Sequence, residues 1–411
     1  MKKLHYSWII LICTTLLMFL TVGLASTGFA AYLPFIIKHN GFTNTQCSTM
    51  TTMRYVFALV ATFFVDGYYR KAGIRKGLIF VLALLTASFV IFGISRSFIL
   101  YCAAAALSGV AYSMAGMIPS SVLIDRWFSD RKAMALGITA AGSGIASIAA
   151  PPAITLSINA IGLAATFFAE AALIFILSAA AVILIRNHPE EKRLSPYEGS
   201  VKKDKKRPEK KVSVHKYQRG NLEKKDFIII FMVPLLLGGA CVAGYGHLSV
   251  LYDLEGFDSV TISLMLAAAG LILTLGKCVF GYFTDRLGSF RSSNLFGSFL
   301  IAGLALCCFA FVPSKGLFML AMVVLGFGLP LSTVGLSVWA MDFSDMDSYP
   351  TVLKWFQLAH SIGGMAFSMV PGIIADIFGS YVPAYILFTG FAVISFLIVF
   401  VTYMKQMKKT Q

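Results

Sequence analysis

An all-α, polytopic membrane protein with twelve transmembrane helices in two six-helix halves is the fold class this sequence predicts. Three observations predict it. First, 58% of the 411 residues are hydrophobic and only 13% are charged, whereas a soluble domain carries about 25% charged residues. Second, the apolar residues fall in long unbroken runs that suit membrane helices, not in the short alternating segments of a barrel. Third, one polar stretch, 186–226, divides those runs six and six.

Taken in order, the first six spans are 8–37, 45–69, 77–95, 97–124, 132–157 and 162–185. The last six are 227–251, 260–283, 291–312, 316–340, 351–377 and 381–403. Met1-Lys2-Lys3 resembles the start of a signal peptide, but the apolar run from Trp8 to Ile37 is too long for one. It reads as a first membrane helix that is retained. The chain therefore divides into an N-terminal half (1–185), a basic cytoplasmic linker (186–226) and a C-terminal half (227–411). The linker holds Pro, Ser, Lys and Glu and almost no large apolar residues, so it is expected to be a mobile tether or a surface helix.

Net charge is +15, which raises the question of a nucleic-acid partner. Its distribution argues against one. The stretch 186–226 holds 14 Lys/Arg and 7 acids. With both termini cytoplasmic, 28 Lys/Arg fall on the cytoplasmic side and 3 (Lys38, Arg96, Lys315) outside. That asymmetry is the one that orients membrane helices in the cell membrane. Seven cysteines are scattered without a CxxC pair and read as free, small core residues. No phosphate-binding glycine loop, metal cluster or nucleophile–base set stands out, so neither an enzyme nor a cofactor is expected.

The two halves echo each other. Gly73 and Gly288, in the loops after helices 2 and 8, are offset by 215. Asp125 and Asp342, at the ends of helices 4 and 10, are offset by 217. Gly144 precedes Pro151 in helix 5 as Gly364 precedes Pro371 in helix 11, an offset of 220. Near-equal offsets indicate a duplicated six-helix unit, the architecture of alternating-access transporters.

Four charged or titratable residues inside the spans stand out as carriers of chemistry. Lys277 in helix 8 lies about 12 Å from the charged end at Asp285, at about 1.5 Å per residue. An ammonium there binds a carboxylate from a water-filled chamber or snorkels to the interface. His360 in helix 11 sits at similar depth, followed by Gly363, Gly364 and Pro371. It shares an anion, titrates as part of coupling, or is a hydrogen-bonded core histidine. Arg54 in helix 2 suits a bidentate carboxylate clamp or an outer-gate ion pair. Glu170 in helix 6 is a proton-coupling candidate or a protonated, hydrogen-bonded core acid.

Gly281-Tyr-Phe-Thr-Asp285-Arg286-Leu-Gly288 closes helix 8 with the pattern G-x-x-x-D-R-x-G. It resembles a motif of the major facilitator superfamily, and the resemblance covers the whole chain. Its first-half copy, Asp66-Gly-Tyr-Tyr-Arg70-Lys71-Ala-Gly73, carries Arg70 where the acid stands. Asp125-Arg126-Trp127-Phe128-Ser-Asp-Arg131-Lys132, with Ala141-Gly142-Ser143-Gly144 beyond it, is similar to the monocarboxylate transporter and oxalate–formate antiporter group. That group's helix-8 cation maps onto Lys277. Its proton-coupled members place an aspartate one turn earlier, where this chain has Leu273. Its oxalate-type members carry a second cation in helix 11, where the nearest candidate is His360.

The resemblance implies a major facilitator fold and a cytoplasmic gate. In that gate Asp285 sits at the amino end of helix 5, Arg286 pairs with Asp342, and Asp125 and Arg131 match an acid–arginine pattern. It places helix 6, with Glu170, outside the substrate cavity. An aromatic cage like that of the oxalate members is open to Tyr32, Tyr245, His247, Trp339 and Trp355, although aromatics near helix ends also serve as interface anchors. The expected function is secondary active transport of a small organic anion, a monocarboxylate, by antiport or symport, with a counter-anion or proton as co-substrate and a monomeric chain in the bilayer. The alternatives are a multidrug or neutral-solute exporter and a non-transporting membrane sensor.

Overall fold

The computed structural model describes residues 5–129, 132–198, 224–344 and 349–410. Among these, twelve helices are long and apolar enough to cross a membrane. They are α1 (Tyr6–Asn40), α2 (Asn44–Ala72), α3 (Ile74–Ile94), α4 (Phe98–Trp127), α5 (Lys132–Ile161) and α6 (Leu163–Leu184), then α7 (Ile228–Gly246), α8 (Ser259–Leu287), α9 (Ser289–Cys307), α10 (Lys315–Ser332), α11 (Thr351–Phe378) and α12 (Val382–Met407). The chain folds as two compact units, Met1–Lys203 and Asp204–Gln411, six helices in each.

Within the first unit α1 packs on α5, α2 on α4 and α3 on α6. Lipid tails are as apolar as the helix surfaces, so helices associate by close packing at small residues. Gly142 of α5 faces the Thr15 carbonyl of α1, and a Cβ there would stand 2.1 Å from that oxygen. Gly109 of α4 receives the Arg54 backbone of α2 in the same way. The helix α1 is not uniform. It widens to a π-helix over Phe19–Thr27 and tightens to a 3-10 turn over Gly28–Tyr32. Thr43 caps α2 in a reciprocal capping box with Gln46.

The second unit repeats the scheme, with α7 on α11, α8 on α10 and α9 on α12. Gly363 of α11 meets the Leu235 carbonyl of α7, and Gly238 of α7 meets the His360 carbonyl of α11. The helix α7 also carries a π-segment, Gly238–Ala243. The run of α11 breaks at Ser368–Met369 and resumes over Val370–Phe378 with Pro371 in its first turn, where proline's missing N–H costs least. A 3-10 turn leads α10 on into a short helix, Val334–Asp342. The turns after α2 and α8 match: Gly73 (φ 72°) and Gly288 (φ 84°) both occupy backbone that favours glycine.

Residues 186–198 depart from the sequence expectation of a free tether or surface helix; 199–223 lie outside the described residues. After a single 3-10 turn, Pro189–Lys192, this strap runs across one end of the first unit. Tyr197 exchanges backbone hydrogen bonds with Trp127 and Ser129. Its ring sits 5.5 Å from His5, 5.8 Å from Trp8 and 5.7 Å from Phe128. Asn187 accepts from the Arg75 backbone N–H at 2.9 Å, and the Trp127 indole donates to the Arg186 carbonyl at 3.0 Å. One tyrosine and a row of backbone bonds hold a segment whose composition reads as solvated.

Candidate functional site

In the second unit Lys277 follows Gly276, which lets α8 approach Pro330 and the Gly326 carbonyl of α10. The lysine is half-buried, and among the described residues it has no hydrogen bond or ion pair. His360 lies at the α7–α11 crossing, with its Nε2 buried and without a hydrogen-bond partner among the described residues. Lys277 and His360 thus belong to different helix pairs, and no hydrogen bond joins them. Tyr245 of α7 is half-buried; beside it His247 is buried and its Nδ1 lies 2.8 Å from the Ala243 carbonyl.

The proposed cage aromatics differ in their surroundings. Trp339 is 3% exposed and donates its indole N–H to Ser293 at 2.8 Å, while Trp355 is 49% exposed. Tyr32 lies in the first unit and is fully buried. The expected gate pairs differ as well. Arg286 stacks over Tyr282 on its own helix at 5.3 Å, and Asp342 accepts from the Tyr403 hydroxyl of α12 at 2.7 Å. No ion pair joins the two among the described residues. Asp285 is exposed in the last turn of α8. Asp125 forms an ion pair with Lys132, while Arg131 lies outside the described residues.

The first unit gathers three of the singled-out residues around α1. Arg54 is 2% exposed, donates from Nε to Ser108 at 3.2 Å and lies over the Phe29 ring at 4.0 Å. Its Nη2 is buried without a partner among the described residues. Ser108 precedes Gly109, so the glycine that brings the helices together also brings the hydroxyl within reach. Glu170 is 7% exposed and accepts a hydrogen bond from the Tyr32 hydroxyl. Tyr32 stacks on Phe167 at 4.2 Å, and Phe29, one turn before it, packs at 5.0 Å from Phe92. The sequence named Arg54, Tyr32 and Glu170 but not Phe29 or Ser108, because nothing in the local pattern sets those two apart from ordinary core.

A cavity of about 520 Å³ opens between α1 and α5. Trp8, Leu11, Phe19, Ile138, Gly142 and Ile145 are among its lining residues, and Thr15 is its one polar side chain. Trp8 therefore serves both the cavity wall and the strap's aromatic cluster. No group of side chains suited to a metal ion occurs among the described residues, and all seven cysteines are free.

Comparison with known proteins bears on what these units are. A sequence profile of the Major Facilitator Superfamily matches residues 15–368 and 256–410. Monocarboxylate transporter 12 of Mus musculus is 24% identical over 336 residues, covering 76% of this chain and 68% of that protein. The probable transporter MCH2 of Saccharomyces cerevisiae is 25% identical over 352 residues, covering 81% and 67%. In three dimensions a mutant of the nucleoside transporter NupG superposes with a TM-score of 0.76 at 13% identity, covering 95% of this chain and 99% of that one. A bacterial homologue of the lysosomal transporter Spinster, inward-facing and unoccupied, gives 0.74 at 14% identity, covering 99% of both. At that identity the superpositions speak to the fold. The profile match, the relatives in keeping with a monocarboxylate-transporter group and the repeated six-helix units lead to one conclusion: the chain belongs to the Major Facilitator Superfamily and is a multi-pass membrane transporter.

Proposed function

We propose that this transporter carries a small organic anion, a monocarboxylate, across the cytoplasmic membrane by alternating access, with both termini in the cytoplasm. The observation that carries the reading is Lys277, a cation inside a membrane helix with no acid or hydrogen-bond acceptor on it among the described residues. A charge so placed is expensive unless something of opposite sign or water meets it. A carboxylate supplies that counter-charge. Arg54 and His360 each hold a buried nitrogen without a hydrogen-bond partner among the described residues and are the further candidates for anion contact. Relatives named as monocarboxylate transporters agree with this substrate class. An empty cationic site resists closure, so exchange of one anion for another is the simplest cycle.

The test is counterflow of radiolabelled L-lactate in proteoliposomes. Lys277→Ala is expected to lower exchange by about tenfold or more and Lys277→Arg to retain most of it, since arginine keeps the charge. Exchange by Lys277→Ala at the wild-type rate overturns the reading. A second reading, export of a neutral or amphipathic solute, is favoured by one observation, the almost wholly apolar wall of the α1–α5 cavity. Uptake of an apolar dye that carboxylates do not inhibit supports it.

A further inference from the structure

The buried acid of α6 has no role in the cycle just described, yet its surroundings are unusual. Glu170 accepts one hydrogen bond, from the neutral Tyr32 hydroxyl, through Oε2. Its other oxygen, Oε1, is buried with no partner among the described residues. Phe167 and, through it, Phe89 and Phe92 form the wall. One neutral donor does not offset the cost of holding a carboxylate charge in such a place.

The charged and titratable groups on the elements packed against α6 are few. On α1 they are Tyr32, with Tyr6, Cys13, Lys38 and His39 farther along the helix. On α3 they are Arg75 and Lys76, whose end of the unit is fixed by the Arg75 bond to the Val182 carbonyl near the end of α6. On α5 the first turn holds Lys132. Arg54 of α2 comes near only through the Phe29 ring, and Tyr101 of α4 through Phe92. No cation forms an ion pair with Glu170 among the described residues.

We propose that Glu170, gripped by Tyr32, is a proton-binding site of the first unit. The bound proton sits on the carboxyl as a neutral acid, and its release leaves the carboxylate held by the tyrosine hydroxyl. The mechanical link is α1. This one helix lines the apolar cavity from Trp8 to Phe19, seats Arg54 on Phe29 and presents Tyr32 to Glu170. Between cavity and tyrosine lie the π-helical and 3-10 stretches. Irregular stretches of this kind inside a helix often mark functional hinges. A shift there as the carrier passes through its cycle would move Tyr32 against Glu170 and make proton binding depend on the transport state. Near Lys277 the chain offers no acid one turn back, where Leu273 stands, so the proton site lies in the other unit from the anion-binding lysine.

This coupling rests on the anion-carrier reading, and two measurements separate the failures. The first is the infrared spectrum of purified protein between acid and alkaline pH. The wild type is expected to show a carboxylic-acid C=O band that vanishes on alkalinisation, that Glu170→Gln lacks, and whose midpoint Tyr32→Phe moves. A wild type without the band, or the same band in Glu170→Gln, overturns the proposal. The second drives L-lactate into proteoliposomes with a pH gradient. Glu170→Gln is expected to lose about tenfold in gradient-driven accumulation while counterflow stays near the wild-type rate. Unchanged accumulation overturns the coupling. Absence of wild-type counterflow fails the anion reading for that solute, and the infrared result then decides the proton site alone. Tyr32→Phe keeps the ring stack on Phe167, so it serves if Glu170→Gln does not fold.

Discussion

Asp258 and Arg54 show how differently a charged residue behaves at a helix start and within a span. Asp258 caps α8, accepting from the Thr261 hydroxyl at 2.7 Å and its N–H at 2.8 Å. Those bonds, and Lys315 at 3.6 Å, hold its carboxyl below the usual range. A depressed carboxyl contributes stability that is full above its unfolded value, about 3.9, and is lost as pH falls through the folded value. Asp258→Ala is predicted to cost about 1 kcal/mol, read as a lower Tm in detergent at neutral pH, with the difference from wild type shrinking below pH 4. Arg54 forms no ion pair with an acid among the described residues; its Nε donates to Ser108 and it lies over the Phe29 face. Arg54→Lys keeps the charge but gives up the planar stack and the Nε bond. The prediction is a Tm lower by several degrees together with a loss of transport no smaller than that of Phe29→Leu. The sequence made Arg54 conspicuous because it interrupts an apolar run. Its partners Phe29 and Ser108 come from other helices and look like core.

At the scale of the element, the irregular helices are the informative ones. Both α1 and α7 carry a π-segment, and each of these packs on a glycine-bearing partner, α5 or α11. Gly142→Ala would place a methyl carbon 2.1 Å from the Thr15 carbonyl. Overpacking of this kind costs about 1–3 kcal/mol, so Tm should fall and the α1–α5 cavity should change in volume. A Tm equal to wild type would show that the two helices are free to separate. The strap makes a separate prediction. Tyr197→Ala removes the ring shared by His5, Trp8 and Phe128. Limited proteolysis of the 186–198 segment should accelerate, whereas Glu198→Ala, at an exposed position beside it, should leave the rate unchanged. The strap was illegible in the sequence because its charge and proline content outweigh one tyrosine. For the gate, a motif names residue types but not their partners, so the Tyr282 ring beside Arg286 and the Tyr403 hydroxyl on Asp342 could be read only from the structure.

At the scale of the whole molecule, duplication and charge asymmetry dominate. Helix pairings repeat between the units, and Gly73 and Gly288 turn the chain with matching backbone angles. The biased placement of Lys and Arg predicts orientation. In a background without native cysteines, Lys315→Cys should react with an impermeant maleimide on intact cells, and Lys405→Cys only after permeabilisation. The reverse pattern would invert the topology. The sequence by itself determined the class, the twelve spans, the six-and-six division and the membrane-buried cations, because each rests on hydrophobic run length and charge, which are local and one-dimensional. Only tertiary structure decided that Glu170 faces Tyr32, that Arg54 rests on a phenylalanine, and that Lys277 and His360 sit on different helix pairs. Those facts depend on which helix faces meet, and packing of small residues across helices far apart in the chain sets them.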